Sequence, residues 1–178
     1  MFNKHFYFMM FLFFIVFNGL YAQGGKEMEN GNSTITKSFG SFELPNDWIE
    51  SSKSPGNGKY FYVHKTERNA DLPTNISVEM GTNPYSRDNP LPFGQAIQRQ
   101  LIMQTGGQAK IDGGGTFTEQ GYPLIHFAIQ APQATTTQFY IVGDKKHILV
   151  HVTNFHNGKI ANGEDIARVI VNTFKWAE

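Results

Sequence analysis

His147 and His151 stand four residues apart in KHILVHV (146–152), the spacing in this chain that most invites a metal-ligand reading. Four residues make one turn on a helix, where such a pair grips a single ion. Here Ile148, Val150 and Val152 alternate with them, and that pattern predicts a strand. On a strand the two imidazoles share a face but stand about 13 Å apart. One ion, which needs each histidine nitrogen within about 2.0–2.1 Å, cannot bridge them. His126 on a neighbouring strand is the remaining candidate third ligand, and spacing alone does not fix its register. His64 and His156 have no partner by spacing. The expectation is no metal and no cofactor.

Other chemistry is no better furnished. The chain has no cysteine and no G-x-S-x-G turn. The serines gather near the N-terminus and in residues 51–54, where hydrogen bonding to a turn is their ordinary use. Glu43, Asp47, Glu50, Glu67, Glu79 and Asp112 fall in loops or at strand ends, without a recognisable pair for glycoside hydrolysis. Gly113-Gly114-Gly115 would suit a phosphate loop only if a helix N-terminus followed. Thr116-Phe117-Thr118 reads as strand instead, so the glycines are expected to form a tight hairpin turn between two short strands. The sequons Asn32-Ser33-Thr34 and Asn75-Ile76-Ser77 are short enough to occur by chance. No catalytic residue is assigned, and the chain is read as a non-enzyme.

Two residues are singled out for binding. The segment 81–91 (GTNPYSRDNPL) is long, irregular and carries two prolines, Tyr85 and Arg87. Long ordered loops are enriched in binding roles, and Tyr and Arg are favoured interface anchors. Trp48, Tyr60, Tyr62, Tyr85 and Phe93 form a further aromatic set able to line an apolar groove or to fill a core.

The elements that must hold these residues follow from periodicity. Lys4 and His5 precede twelve uncharged apolar residues, 6–17, and a small-residue end at Ala22. That order is a signal peptide, and twelve helical residues reach only about 18 Å, short of a bilayer core. Cleavage after Ala22 is expected, leaving Gln23 first and residues 23–33 as a polar, flexible leader. Removing residues 1–22 takes Lys4 from 15 basic residues and nothing from 15 acidic ones, giving a formal charge of −1. A phosphate-tracking protein would be clearly basic, so nucleic acid is excluded as a partner. Residues 34–178 suit one domain large enough to fold without disulfides.

Within that domain, strands are expected near 34–44, 48–49, 59–65, 74–80, 122–130, 138–142 and 147–153. Residues 93–104 show helical spacing, with Phe93, Ile97 and Leu101 on one face, proline in the first turn and Gly106-Gly107 at the end. Residues 163–175 repeat the pattern with Ile166, Val169, Ile170 and Phe174, and Asn162 is the expected N-cap. Short turns imply antiparallel pairing, and segregated helices imply α+β. Leu124 and Ala128 oppose Ile125, Phe127 and Ile129, while Tyr140 and Val142 oppose Phe139 and Ile141. Strands apolar on both sides are buried on both sides, so helices are expected on both faces of the sheet, a three-layer α/β/α sandwich.

The layout resembles the Mog1/PsbP-like superfamily, including its small exported domains of the DcrB and LpqN type. The likeness rests on Phe42-Glu43-Leu44-Pro45-Asn46-Asp47-Trp48, Asn75-Ile76-Ser77-Val78, the helix at 93–104, Gly121-Tyr122-Pro123, Tyr140-Ile141-Val142-Gly143-Asp144 and the terminal Thr173-Phe174-Lys175. It implies the three-layer sandwich and an accessory, protein-binding role, and transfers no functional residue. The expected function is a periplasmic or secreted binding domain that recognises another protein through a sheet edge or residues 81–91, in an immunity- or chaperone-like manner. A carrier of a small apolar ligand between helix and sheet is the alternative, and a hydrolase has the least support.

Overall fold

The computed structural model describes residues 31–55, 58–156, 160 and 162–178. The expected signal peptide and residues 23–30 of the expected leader lie outside them. Asn32 and Ser33, expected in the leader, are instead part of strand β1 (Asn32–Lys37), which pairs with β2 (Gly40–Pro45) from Asn32 opposite Pro45. Asn32 Nδ2 donates to Glu43 Oε2 at 3.1 Å, so Asn32 and Ser33 belong to the fold.

Next come β3 (Trp48–Glu50), β4 (Lys59–His64) and β5 (Asn75–Thr82), then helix α1 (Leu91–Gln104). Strands β6 (Lys110–Phe117), β7 (Pro123–Gln130), β8 (Ala134–Val142) and β9 (Lys146–Phe155) form a meander. Helix α2 (Gly163–Thr173) and β10 (Lys175–Trp176) close the chain. Every strand pairing among the described residues is antiparallel. The strands make a sheet ordered β1-β2-β10 and a larger one ordered β3-β4-β5-β9-β8-β7-β6. The chain thus leaves β5, crosses along α1 to the far edge at β6, and returns strand by strand until β9 lies against β5. The protein is α+β.

Alternation along β7 and β8 sorts the core into two apolar clusters. Leu124, Phe139, Ile141, Ile148, Val150 and Val152 pack with Ile166, Ala167, Ile170 and Val171 of α2 and with Phe42 and Leu44 of β2. Ile125, Phe127, Ile129, Tyr140, Val142 and Leu149 pack with Phe93 and Leu101 of α1, and Ile97 joins them partly buried. Each expected helical stripe is thus an inward face.

Three local expectations are corrected. Gly113, Gly114 and Gly115 do not turn; they sit mid-strand in one continuous β6, opposite Phe127, His126 and Ile125. A Cβ at Gly113 would lie 2.5 Å from the Phe127 ring and one at Gly114 would lie 3.0 Å from the His126 ring. The glycines therefore seat neighbouring rings rather than supply turn freedom. Helix α2 stops at Thr173, not Lys175, because Phe174 turns extended (ψ 135) and Lys175 and Trp176 pair with Ser41 and Gly40. Asn162 occupies the N-cap position with φ −99 and ψ 20 but makes no side-chain capping bond, since it is not in the extended conformation that aims a capping oxygen at the first turn.

Candidate functional site

The connection between β5 and α1 is held by its own hydrogen bonds. Asn83 is buried; its backbone N–H donates to Lys145 O at 3.0 Å and its Oδ1 accepts from Tyr85 N–H at 2.9 Å. Ser86 Oγ accepts from Asp88 N–H at 3.1 Å, and Gly94 N–H donates to Pro90 O as the helix begins. The loop is thereby tied to the β8–β9 turn.

This frame separates the two singled-out residues. Tyr85 turns inward, its ring 6.4 Å from that of Phe93, and packs against the α1 cluster. It is half-buried. Arg87 is half-buried as well, its guanidinium 5.8 Å from the Tyr122 ring centroid. It lines a groove of about 260 Å³ with Asp88, Pro90, Phe117, Gly121 and Pro123. The five aromatics do not share a groove either. Trp48, Tyr60 and Tyr62 belong with the α2 cluster, Tyr85 and Phe93 with the α1 cluster.

What the sequence reading missed is Phe117, which is 68% exposed at the end of β6. Reading the three glycines as a turn hid it. Taken as strand, KIDGGGTF ends on an aromatic with no apolar neighbour two residues back, an early sign of an outward ring. Strand β6 is also the last in its sheet, paired with β7 alone, so its outer backbone groups face no strand among the described residues. An open edge of eight residues without proline is a template for another strand.

The histidines are placed by register. His147 lies opposite Gly81 and His151 opposite Ser77, both on the α1 face of the sheet. His126 lies opposite Phe139, whose ring belongs to the α2 cluster, so it is on the other face and cannot join them. No three His, Cys, Asp or Glu converge among the described residues. His147 is a packing piece: its ring is 5.0 Å from Phe93 and 5.6 Å from Tyr140 and covers Gly81. Burial lowers its pKa despite a hydrogen bond to Thr82 and the nearby Glu79 charge. Burial also pushes His151 down to about 4, reinforced by Lys59 and opposed by Glu79. Burial and Glu79 hold the Tyr140 hydroxyl well above the usual range, and it donates to Gln138 Oε1 at 2.6 Å. His64, without a partner by spacing, has two: Asp47 Oδ2 at 3.1 Å and Thr66 Oγ1 at 2.7 Å.

No family model and no curated protein sequence matches the chain. Solved structures do. LpqN of Mycobacterium tuberculosis, involved in cell envelope biogenesis, is similar with TM-score 0.58 at 12% identity, over 85% of this chain and 93% of that one. Cyanobacterial PsbP (CyanoP) of Synechocystis sp. PCC 6803 gives TM-score 0.53 at 14% identity, over 89% of this chain and 99% of that one. The Ran-binding protein Mog1p of Saccharomyces cerevisiae gives TM-score 0.53 at 12% identity, over 84% and 96%. Likeness at such identity speaks for the backbone arrangement alone. This chain has the Mog1/PsbP-like fold.

Proposed function

We propose that the protein is an exported, non-enzymatic accessory domain that recognises another protein. The observation that carries this reading is the open edge of β6, which ends on exposed Phe117 beside the groove lined by Arg87 and Pro90. Large exposed rings and arginines flanking an unpaired strand are what protein partners use, whereas small-molecule sites are concave and enclosed. Export is supported by the charged, apolar and small-residue order of residues 4–22, and no described helix is long and apolar enough to cross a membrane. The Mog1/PsbP-like fold also serves a Ran-binding protein and one involved in cell envelope biogenesis, which supports an accessory role. An immunity- or chaperone-like partnership with a secreted protein is one form of it. In this reading residues 34–178, with β1 extending to Asn32, act as one three-layer unit: α1, the large sheet, and α2 with the small sheet. The carrier alternative draws no support, since Phe93, Ile97 and Leu101 fill the space between α1 and the strands.

The test is site-specific photo-crosslinking on the exported protein, after N-terminal sequencing for a start at Gln23. A benzoylphenylalanine at Phe117 should capture a discrete partner from an envelope extract. The same group at Leu72, 51% exposed and away from β6, should not. Equal capture at both positions, or none at Phe117, refutes the reading.

A further inference from the structure

Among the described residues no carboxylate pairs with Arg87, although Asp88 follows it and lines the same groove. The guanidinium is half-buried and rests 5.8 Å from the Tyr122 ring centroid. An aromatic face both attracts the planar cation and sets its orientation. Withdrawing a charge from water without a partner is unfavourable, so a half-buried, oriented guanidinium favours an incoming anion. The loop that carries it is ordered before anything arrives. Ser86 Oγ accepts from Asp88 N–H at 3.1 Å, and Ser86 O accepts from Asn89 N–H at 3.3 Å. Ordering of this kind lowers the entropy lost on binding.

The rest of the groove is apolar. Buried Pro123, half-buried Pro90 and the ring of Phe117, 68% exposed, line it, and Gly121 adds no side chain. Its volume of about 260 Å³ falls below the roughly 300–1,000 Å³ of sites that enclose a whole small molecule. It suits one residue, with the remainder of a chain lying outside. That residue must bring a carboxylate for Arg87, an N–H donor for Asp88 and an apolar side chain for Phe117 and the prolines. An aspartate or glutamate inside a chain brings the first two but has no apolar side chain. The last residue of a polypeptide brings all three.

We infer that this groove binds the free carboxyl-terminal residue of a partner protein. The carboxylate forks onto Arg87, the residue's own amide N–H donates to Asp88, and its apolar side chain covers Phe117. This rests on the protein-recognition reading and names the end of the partner that is held.

The probe is an array of random hexapeptides with free carboxyl termini, followed by fluorescence anisotropy on the selected sequences and their amidated twins. Selected peptides should end in an apolar residue, and amidation should weaken them about tenfold or more, because it removes the charged acceptor. Arg87→Ala should erase that gap. Arg87→Lys, which keeps the charge and loses the fork, should shrink it. Asp88→Asn, which removes the negative neighbour and keeps an oxygen acceptor, should widen it. Phe117→Ser, at an exposed position, should weaken acid and amide by the same factor. Hexanoate, which has the carboxylate and the apolar chain but no N–H, should bind about tenfold more weakly than the peptides. Amide chemical shifts of the unaltered protein should respond to the peptides within 86–90 and 117–123. No preference for a free carboxylate, a gap that survives Arg87→Ala in a folded variant, or shifts centred elsewhere overturns the inference. So does hexanoate binding as tightly as the peptides, which would give the groove to a small free acid. A partner crosslinked at Phe117 while no peptide binds would leave protein recognition standing and remove carboxyl-terminal capture.

Discussion

Acid should weaken this fold through His151, and the size of the effect follows from where the ring sits. It lies between Ser77 on β5 and Gln138 on β8, with Thr153 Oγ1 at 3.4 Å. Lys59 and Glu79, themselves paired at 2.8 Å, face it from the adjoining cross-strand row. Burial first, then Lys59, lowers its pKa to about 4, against about 6.5 in an unfolded chain. A depressed histidine costs nothing at high pH, where both states are neutral. As pH falls below about 6.5 the unfolded chain takes up a proton that the folded one refuses, until about pH 4. At pH 5 the corresponding loss is about 2 kcal/mol relative to pH 7.5. Urea unfolding of the protein and of His151→Gln at those two pH values isolates the effect, because glutamine fills similar space without titrating. The wild type should lose about 2 kcal/mol more than the variant between pH 7.5 and 5. Equal losses would show that the His151 ring is as well hydrated in the fold as in the unfolded chain.

Ile170 is fully buried in the α2 cluster, so Ile170→Ala should cost about 2–5 kcal/mol in the same assay; below about 1 kcal/mol the stripe is not packed as described. Gly113→Ala should cost about 1–3 kcal/mol, because its Cβ meets the buried Phe127 ring at 2.5 Å. Gly115→Ala, whose nearest neighbour is Leu124 O at 3.8 Å, should be neutral or gain up to about 1 kcal/mol from the stiffer unfolded chain. Similar costs at both glycines would refute the ring-seating role. Elemental analysis of protein purified without an affinity tag should show far less than one metal per chain, and a chelator should leave the melting temperature unchanged. Stoichiometric zinc would show that loop groups complete a site the spacing argument denies.

Periodicity alone determined the helices, most of the strands and their antiparallel order. Phe93, Leu101, Ile166 and Ile170 recur at helical spacing, and the doubly apolar β7 and β8 demand cover on both faces; these patterns are local, so a sequence displays them. The same spacing separated His147 from His151. Three matters needed the tertiary structure. Gly113, Gly114 and Gly115 have turn composition, and only the rings of Phe127 and His126 lying over them show why they are strand. The length of α2 was decided by β2, which draws Lys175 and Trp176 into a sheet against the helical pattern. Tyr85 and Arg87 are two residues apart and look equally available in the sequence. Asn83, anchored to Lys145 across the fold, sets the first against Phe93 and the second over Tyr122. Side-chain availability depends on what arrives from distant parts of the chain, and neither composition nor period records that arrival.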